Sequence, residues 1–222
     1  SYAIILKGKC SMENGEGHGK KRTPAFRSII PTAGIISFFI FYLIATLFYP
    51  GGSNFDPSEN GFNWETNYWC ELLYDYSKNG HINTARPYAL AAMLSLTISV
   101  GYFWSAYPQL LTASQKLTNI IRWSGMVSMV LSSFIFTNFH DGLIYLSVIS
   151  GSIAYTGLIY ILFRCGHSIR AIFGTICLIL ILLNSFIYIV ESGIEYLPII
   201  QKITFLITLC WIFSLSISYK KL

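Results

Sequence analysis

Charge is scarce in this chain. Asp, Glu, Lys and Arg make up 11% of its 222 residues, less than half the roughly 25% of an ordinary soluble domain. That deficit excludes a soluble enzyme, and a hydrophobic content of 54% with a mean hydropathy of +0.54 excludes a disordered chain. No strict repeat marks a collagen or coiled coil, and no fixed-period similarity marks inverted repeats. Conventional catalytic signatures are missing too: there is no GxSxG, HExxH, Walker loop or dinucleotide fingerprint. Neither CxxC nor a Cys/His zinc spacing occurs, so no metal site is assigned and the sequence names no cofactor.

What is abundant is uncharged apolar sequence. Runs without charge cover 28–55, 87–115, 123–140, 142–163, 171–190 and 203–219. A helix rises about 1.5 Å per residue and needs roughly 20 apolar residues to cross about 30 Å of hydrocarbon. Six spans are therefore expected near 29–49, 87–107, 117–139, 142–163, 171–190 and 199–219, with Asn138 to Gly142 as a tight hairpin between the third and fourth. Helices are required because the bilayer core offers the backbone no water, and no segment alternates as a membrane barrel strand does. The expected fold is all-α, a polytopic integral membrane protein: a six-helix transmembrane bundle with an extracytoplasmic amphipathic lid.

Basic residues set the expected orientation. With a cytoplasmic N-terminus, Lys7, Lys9, Lys20, Lys21, Arg22, Arg27, Lys116, Arg122, Arg164, Arg170, Lys220 and Lys221 fall inside, leaving Lys78, Arg86 and Lys202 outside. Both termini are then cytoplasmic, in a cell membrane expected to be a bacterial inner membrane. The net charge of +5 reads as a collar for anionic headgroups, not as a nucleic-acid signal. Residues 1–27 read as a cytoplasmic mobile tail and 28–222 as the membrane domain. Met12 offers a native start, which makes 1–11 an upstream extension, and the span-length first apolar run is expected to remain as a helix instead of being cleaved. Of the five cysteines only Cys70 faces outward under this topology, so no outward intrachain pair is expected.

Residues 50–86 form the only long external connection, and a loop of that length in a compact bundle is usually functional or structured. Trp69, Leu72, Leu73 and Tyr76 recur at helical spacing, with Asn67, Glu71 and Asp75 on the other side, predicting a short amphipathic helix. Its aromatics, Trp64, Tyr68, Trp69, Tyr74 and Tyr76, suit the headgroup layer. Asn79-Gly80 predicts a turn, Asn83 an N-cap, and Arg86-Pro87 the start of the second span. Arg86 is expected either to snorkel to phosphate or to pair with Glu65, Glu71 or Asp141.

These same residues carry a resemblance. Tyr49-Pro50-Gly51-Gly52, Gly61-Phe62 with Trp64, Asn67-Tyr68, Asn79-Gly80 with Asn83, Ala85-Arg86-Pro87 and His140-Asp141 resemble bacterial membrane proteins of domain-of-unknown-function family 998. That family is distantly similar to the six-helix DRAM and Frag-type proteins. The resemblance spans about residues 28–219; it implies a multi-pass membrane fold and no established reaction.

Three functional readings remain open from the residues. In the first, the aromatic face of Trp64, Tyr68, Trp69 and Tyr76 with Arg86 recognises membrane lipids or a membrane-protein partner. In the second, His140, Asp141, Arg86 and Glu191 form a catalytic site for lipid hydrolysis or transfer, with His140 as acid/base and Arg86 on phosphate; the bland alternative for His140 and Asp141 is capping of the hairpin. The third is small-solute transport through Asn184 and the serines Ser124, Ser128 and Ser132, but the four-residue serine spacing is better explained by close helix packing, as are Ala91, Ser95, Ser99, Ser147 and Gly151.

Overall fold

The computed structural model describes residues 24–111 and 113–218, and among these are six α-helices and no strand beyond two isolated bridges. The helices are α1 (Pro24–Leu47), α2 (Arg86–Ala106), α3 (Gln115–Ser132), α4 (His140–Arg164), α5 (Ser168–Val190) and α6 (Leu197–Ser218). The tail expected at 1–27 falls largely outside the described residues, and α1 already begins at Pro24. Local chemistry marks the other starts. Pro87 occupies the first turn of α2, where its missing N–H costs nothing. Ser114 caps α3, its Oγ accepting from Leu117 N at 3.3 Å.

Each helix packs on the next in sequence, and α6 closes back on α1, so the six form a ring. Small residues permit the close approaches. A Cβ at Gly34 would overlap Ser99, one at Gly125 would overlap Trp104, and one at Gly174 would overlap Trp211. Ser128 and Ser147 join α3 to α4, Ser128 Oγ donating to Ser147 O at 2.9 Å and Ser147 Oγ to Ser128 O at 3.1 Å. Both packing and cross-helix bonding thus explain the small-residue spacing. The inward faces supply one core that includes Phe38, Leu96, Phe103, Trp104, Leu158, Trp211, Ile212 and Leu215.

The outward faces are equally apolar. On α5 alone, Ile172, Phe173, Ile176, Ile179, Phe186 and Ile189 are exposed, a contiguous surface that water would penalise. Among the described residues, five segments are long and apolar enough to cross a membrane: Ser28–Leu47, Arg86–Leu110, His140–Arg164, Ser168–Val190 and Ile194–Ser218. This is a helical membrane protein.

The third helix departs from expectation. The apolar run predicts a span to residue 139 and a tight hairpin at Asn138 to Gly142, but α3 ends at Ser132 and α4 begins at His140. Its 18 residues rise only about 27 Å. Ser133 Oγ donates to Val130 O at 2.7 Å, and a hydroxyl that competes for the backbone in this way weakens a helix end, while Ser132 Oγ meets Ser147 Oγ of α4 at 2.6 Å. Successive tight turns follow, including Phe134 N to Leu131 O and Thr137 N to Phe134 O.

Candidate functional site: a cavity beneath the long loop

Residues 48–85 fold over one end of the ring, held by polar side chains that periodicity assigns to water. The expected amphipathic helix is a five-residue 3₁₀ helix, Trp69–Leu73. At three residues per turn its faces differ from those of an α-helix, which turns Glu71 inward; Tyr76, assigned to the apolar face, is exposed. Asn67 and Glu71, expected on the wet side, are buried, Glu71 at 1% exposure.

Asn67 explains how the loop tolerates this. Its Nδ2 donates to Glu71 Oε2 at 2.6 Å and to Gly52 O at 2.7 Å, and its Oδ1 accepts from Asn63 N at 2.8 Å. Tyr68 N adds a bond to Glu71 Oε2 at 3.2 Å. Burial nevertheless raises the Glu71 carboxyl above its ordinary pKa, the hydrogen bonds and the nearby Lys78 and Lys202 opposing the shift. The same burial, with the Glu71 charge adding to it, pushes the Cys70 thiol up to about 12, so Cys70 is no thiolate nucleophile.

Ties to the helices fix the loop's height. Lys202 donates from Nζ to Asn67 O at 2.6 Å and Pro198 O at 2.9 Å. Gln201 Oε1 accepts from Trp69 N at 3.2 Å, and Tyr42 OH donates to Trp69 O at 3.3 Å. The Trp69 ring packs among Phe38, Phe39, Tyr42 and Phe205. Asn83 serves partly as expected: its Oδ1 accepts from Ala85 N at 3.1 Å, but its Nδ2 is spent on Glu71 O and Tyr74 O. Asn79-Gly80 forms the expected turn, with Gly80 at φ 86°.

Below the loop lies a cavity of about 560 Å³, within the usual size range of small-molecule sites. Tyr68, Cys70, Glu71, Tyr74 and Lys78 line it from the loop, and His140, Asp141 and Tyr188 from the helix ends beside it. It extends along α4 from His140 to Tyr155, a rise of about 22 Å, and along α2 as far as Trp104. Deeper walls are mainly apolar, with Met93, Leu96, Val100, Met129, Phe205, Leu209 and Ile212. The cavity is a cleft between the helices, polar at the loop end and mainly apolar below.

Of the four residues expected to form a catalytic group, the structure brings two together. His140 Nδ1 lies 3.0 Å from Asp141 Oδ1, and Tyr188 OH donates to the same Oδ1 at 2.7 Å. Arg86 is elsewhere: its partners are Asp75, by an ion pair, and Leu73 O, by a bond from Nε at 3.1 Å, not Glu65, Glu71 or Asp141. Glu191 ends α5 in the left-handed conformation at φ 57°, exposed and outside the cavity lining. Among the proposed recognition aromatics, Trp64 and Tyr76 are exposed, Trp69 is core, and Tyr68 lines the cavity while its OH donates to Ile194 O at 3.3 Å. Tyr74, read from the sequence as a headgroup-layer aromatic, lines the cavity, whereas Glu71 and Tyr188 are cavity residues that sequence reasoning missed; a carboxylate within an aromatic run was the one available signal for Glu71. Among the described residues no group of three or more His, Cys, Asp or Glu is placed to hold a metal. Asn184 donates from Nδ2 to Thr204 Oγ1 at 2.6 Å and Leu180 O at 2.8 Å, linking α5 to α6 beside the cavity.

No family model, curated protein or solved structure matches this chain.

Proposed function

We propose that the protein is a six-span membrane protein that holds a single-chain amphiphile, with its polar head beneath residues 48–85 and its tail between the helices. The carrying observation is the cavity itself, polar under the loop and apolar toward Trp104 and Ile212. Membrane lipids are the natural source of such a molecule, because the apolar exterior places the ring among them. Recognition then occurs within the ring instead of on an outward aromatic face.

In this reading α3 is the sixth span. It runs between α2 and α4, so the water-facing end of one must match that of its neighbours. Twelve basic residues then lie with the termini in the cytoplasm, and the loop lies outside.

The direct test is binding of a photoreactive single-chain lipid to the protein in nanodiscs, with the labelled peptides mapped by mass spectrometry. Labels should fall on cavity residues of α2, α4 and α6, and Val148→Trp, which fills the cleft, should remove them while the protein stays folded. Labelling confined to the outward faces of α5 would defeat the reading. Cysteine accessibility at Ser58→Cys and Gln115→Cys tests the topology: the two positions should react from opposite sides of the membrane.

A second reading, acid/base chemistry on a lipid, is favoured by the His140–Asp141–Tyr188 cluster alone. Loss of lipid turnover in His140→Phe with binding retained would support it.

A further inference from the structure

The mouth of the cavity carries one accessible cation and one accessible carboxylate. Lys78 lines it and is exposed, and among the described residues its ammonium makes no ion pair. Lys78 Nζ stands 5.5 Å from the centroid of the Tyr74 ring, a cation–π contact that positions the charge without cancelling it. Asp141 lines the same cavity from α4, with its side chain 64% exposed. Its Oδ1 is occupied by Tyr188 OH at 2.7 Å and His140 Nδ1 at 3.0 Å, whereas Oδ2 has no hydrogen-bond partner among the described residues. The other two charged groups nearby are committed to the protein. Glu71 Oε2 is held by Asn67 and Tyr68, and Lys202 donates to two backbone carbonyls.

Tyrosines frame both charges. The Tyr74 ring is the neighbour of Lys78 and also lies 6.2 Å from the His140 ring, and Tyr188, whose hydroxyl holds Asp141, has its ring 6.5 Å from that of Tyr145. All of these tyrosines line the cavity. A carboxylate beside aromatic rings favours an ammonium, which the carboxylate and the ring faces attract together. An unpaired lysine favours a phosphate. A head of one sign leaves one of the two unmet, and a head carrying both signs meets each. Size agrees with charge. In a phosphoethanolamine the ammonium and phosphorus lie about 5 Å apart, and a hydrogen bond at either end extends its reach to about 11 Å. That reach is comparable with the path from Lys78 past the Tyr74 ring to His140 and Asp141. A primary ammonium also supplies the donor that Asp141 Oδ2 lacks, which a quaternary one does not.

We propose that the amphiphile is a single-chain zwitterionic phospholipid of the lysophosphatidylethanolamine class, with its phosphate on Lys78 and its ammonium on Asp141 beside Tyr145 and Tyr188. The assignment rests on the amphiphile reading above for the tail, which follows the apolar walls toward Trp104 and Ile212, and on the mouth for the head.

The experiment measures saturable binding of radiolabelled 1-oleoyl-lysophosphatidylethanolamine to the full chain in phosphatidylcholine nanodiscs. It is run at pH 8, where imidazoles are generally uncharged and none offsets the carboxylate. Each unlabelled competitor removes one feature: 1-oleoyl-lysophosphatidic acid lacks the ammonium, oleylamine the phosphate, and glycerophosphoethanolamine the chain. The unlabelled zwitterionic lipid should compete at least about tenfold better than the first two, the loss expected for one charge-assisted hydrogen bond, and more than about a hundredfold better than the third. Variants are read as ratios within each protein, so that partitioning into the bilayer cancels. In Asp141→Asn the advantage over lysophosphatidic acid should fall to about one while that over oleylamine persists, and Lys78→Met should do the reverse. Should either variant fail to fold, the other and the wild-type ratios still decide. Equal competition by lysophosphatidic acid or oleylamine in the wild type, or the unchanged ratio in the variant meant to abolish it, would overturn the head assignment and leave amphiphile binding standing. Equal competition by glycerophosphoethanolamine would overturn the amphiphile reading as well. No saturable binding of the labelled lipid would overturn the head assignment, and the photolabelling described above then decides the amphiphile reading by itself.

Discussion

The long loop and the helix ring solve the same problem, how to bury polar groups, in opposite ways. Within the loop one asparagine, Asn67, serves three partners and is locked over a buried carboxylate. Within the ring, polar side chains mostly bond the backbone of their own helix, as Ser150 does with Leu146 O and Ser185 with Ile181 O, and few reach a neighbour. The loop unfolds into water, where each separated group is rehydrated singly and the network is lost as a unit. A helix pulled from the ring stays in lipid, where its serines and Asn184 keep local partners. Polar bonds consequently define the loop's structure, whereas shape and small residues define the ring's.

The contrast is sharpest at Asn67. Asn67→Leu removes two donors and an acceptor and leaves Glu71 with one backbone N–H, so it should cost about 3–5 kcal/mol, the loss of one bond to a carboxyl and two to neutral backbone groups. A loss below about 1 kcal/mol in reversible unfolding would break the comparison. Lys202→Met comes next. It cuts the bonds to Asn67 O and Pro198 O and should cost about 1.5–3 kcal/mol, with proteolysis of residues 48–85 accelerating before any helix opens.

Glu71 gives the loop a pH signature. Its folded pKa lies above its unfolded one, so below the unfolded value, about 4.3, both states are protonated and nothing is lost. As pH rises the unfolded carboxyl ionises first, and stability falls until the folded pKa is passed. Thermal midpoints measured across the carboxylate range should decline with pH in the wild type, and the slope should flatten in Glu71→Gln whatever its absolute stability. The smallest effect belongs to the ring. Asn184→Leu removes the link to Thr204, and cross-helix bonds of this kind average about 0.6 kcal/mol in membranes, so unfolding in detergent should shift barely beyond error.

How far the sequence revealed this molecule follows the same divide. Five helices could be read from uncharged runs because lipid leaves the backbone no alternative, and Gly34, Gly125 and Gly174 meet bulky or close-packed neighbours as small residues in such helices do. The loop resisted. Glu71 was placed on the wet side by a 3.6-residue period that its 3₁₀ helix does not obey, and its partner Asn67 is polar in a way that reads as exposed. Arg86 had several carboxylates within plausible reach, and only the three-dimensional course of the loop selects Asp75. The end of α3 was hidden because Ser133 in an apolar run alters hydropathy little while its hydroxyl takes a backbone carbonyl. In the candidate site, His140 and Asp141 were visible as adjacent residues; Tyr188, which completes their cluster from another helix, carried no signal.

The loop's fastenings are lopsided. Its bonds reach Tyr42 of α1, Arg86 of α2, Ile194 and, in α6, Gln201 and Lys202, and Tyr68 and Cys70 pack with Ile187 and Tyr188 of α5, while toward α4 the contact is the face of Tyr74 against the His140 ring, 6.2 Å between centroids. Access to the chamber would then be least obstructed at the head of α4, where the Asp141 side chain is already 64% exposed.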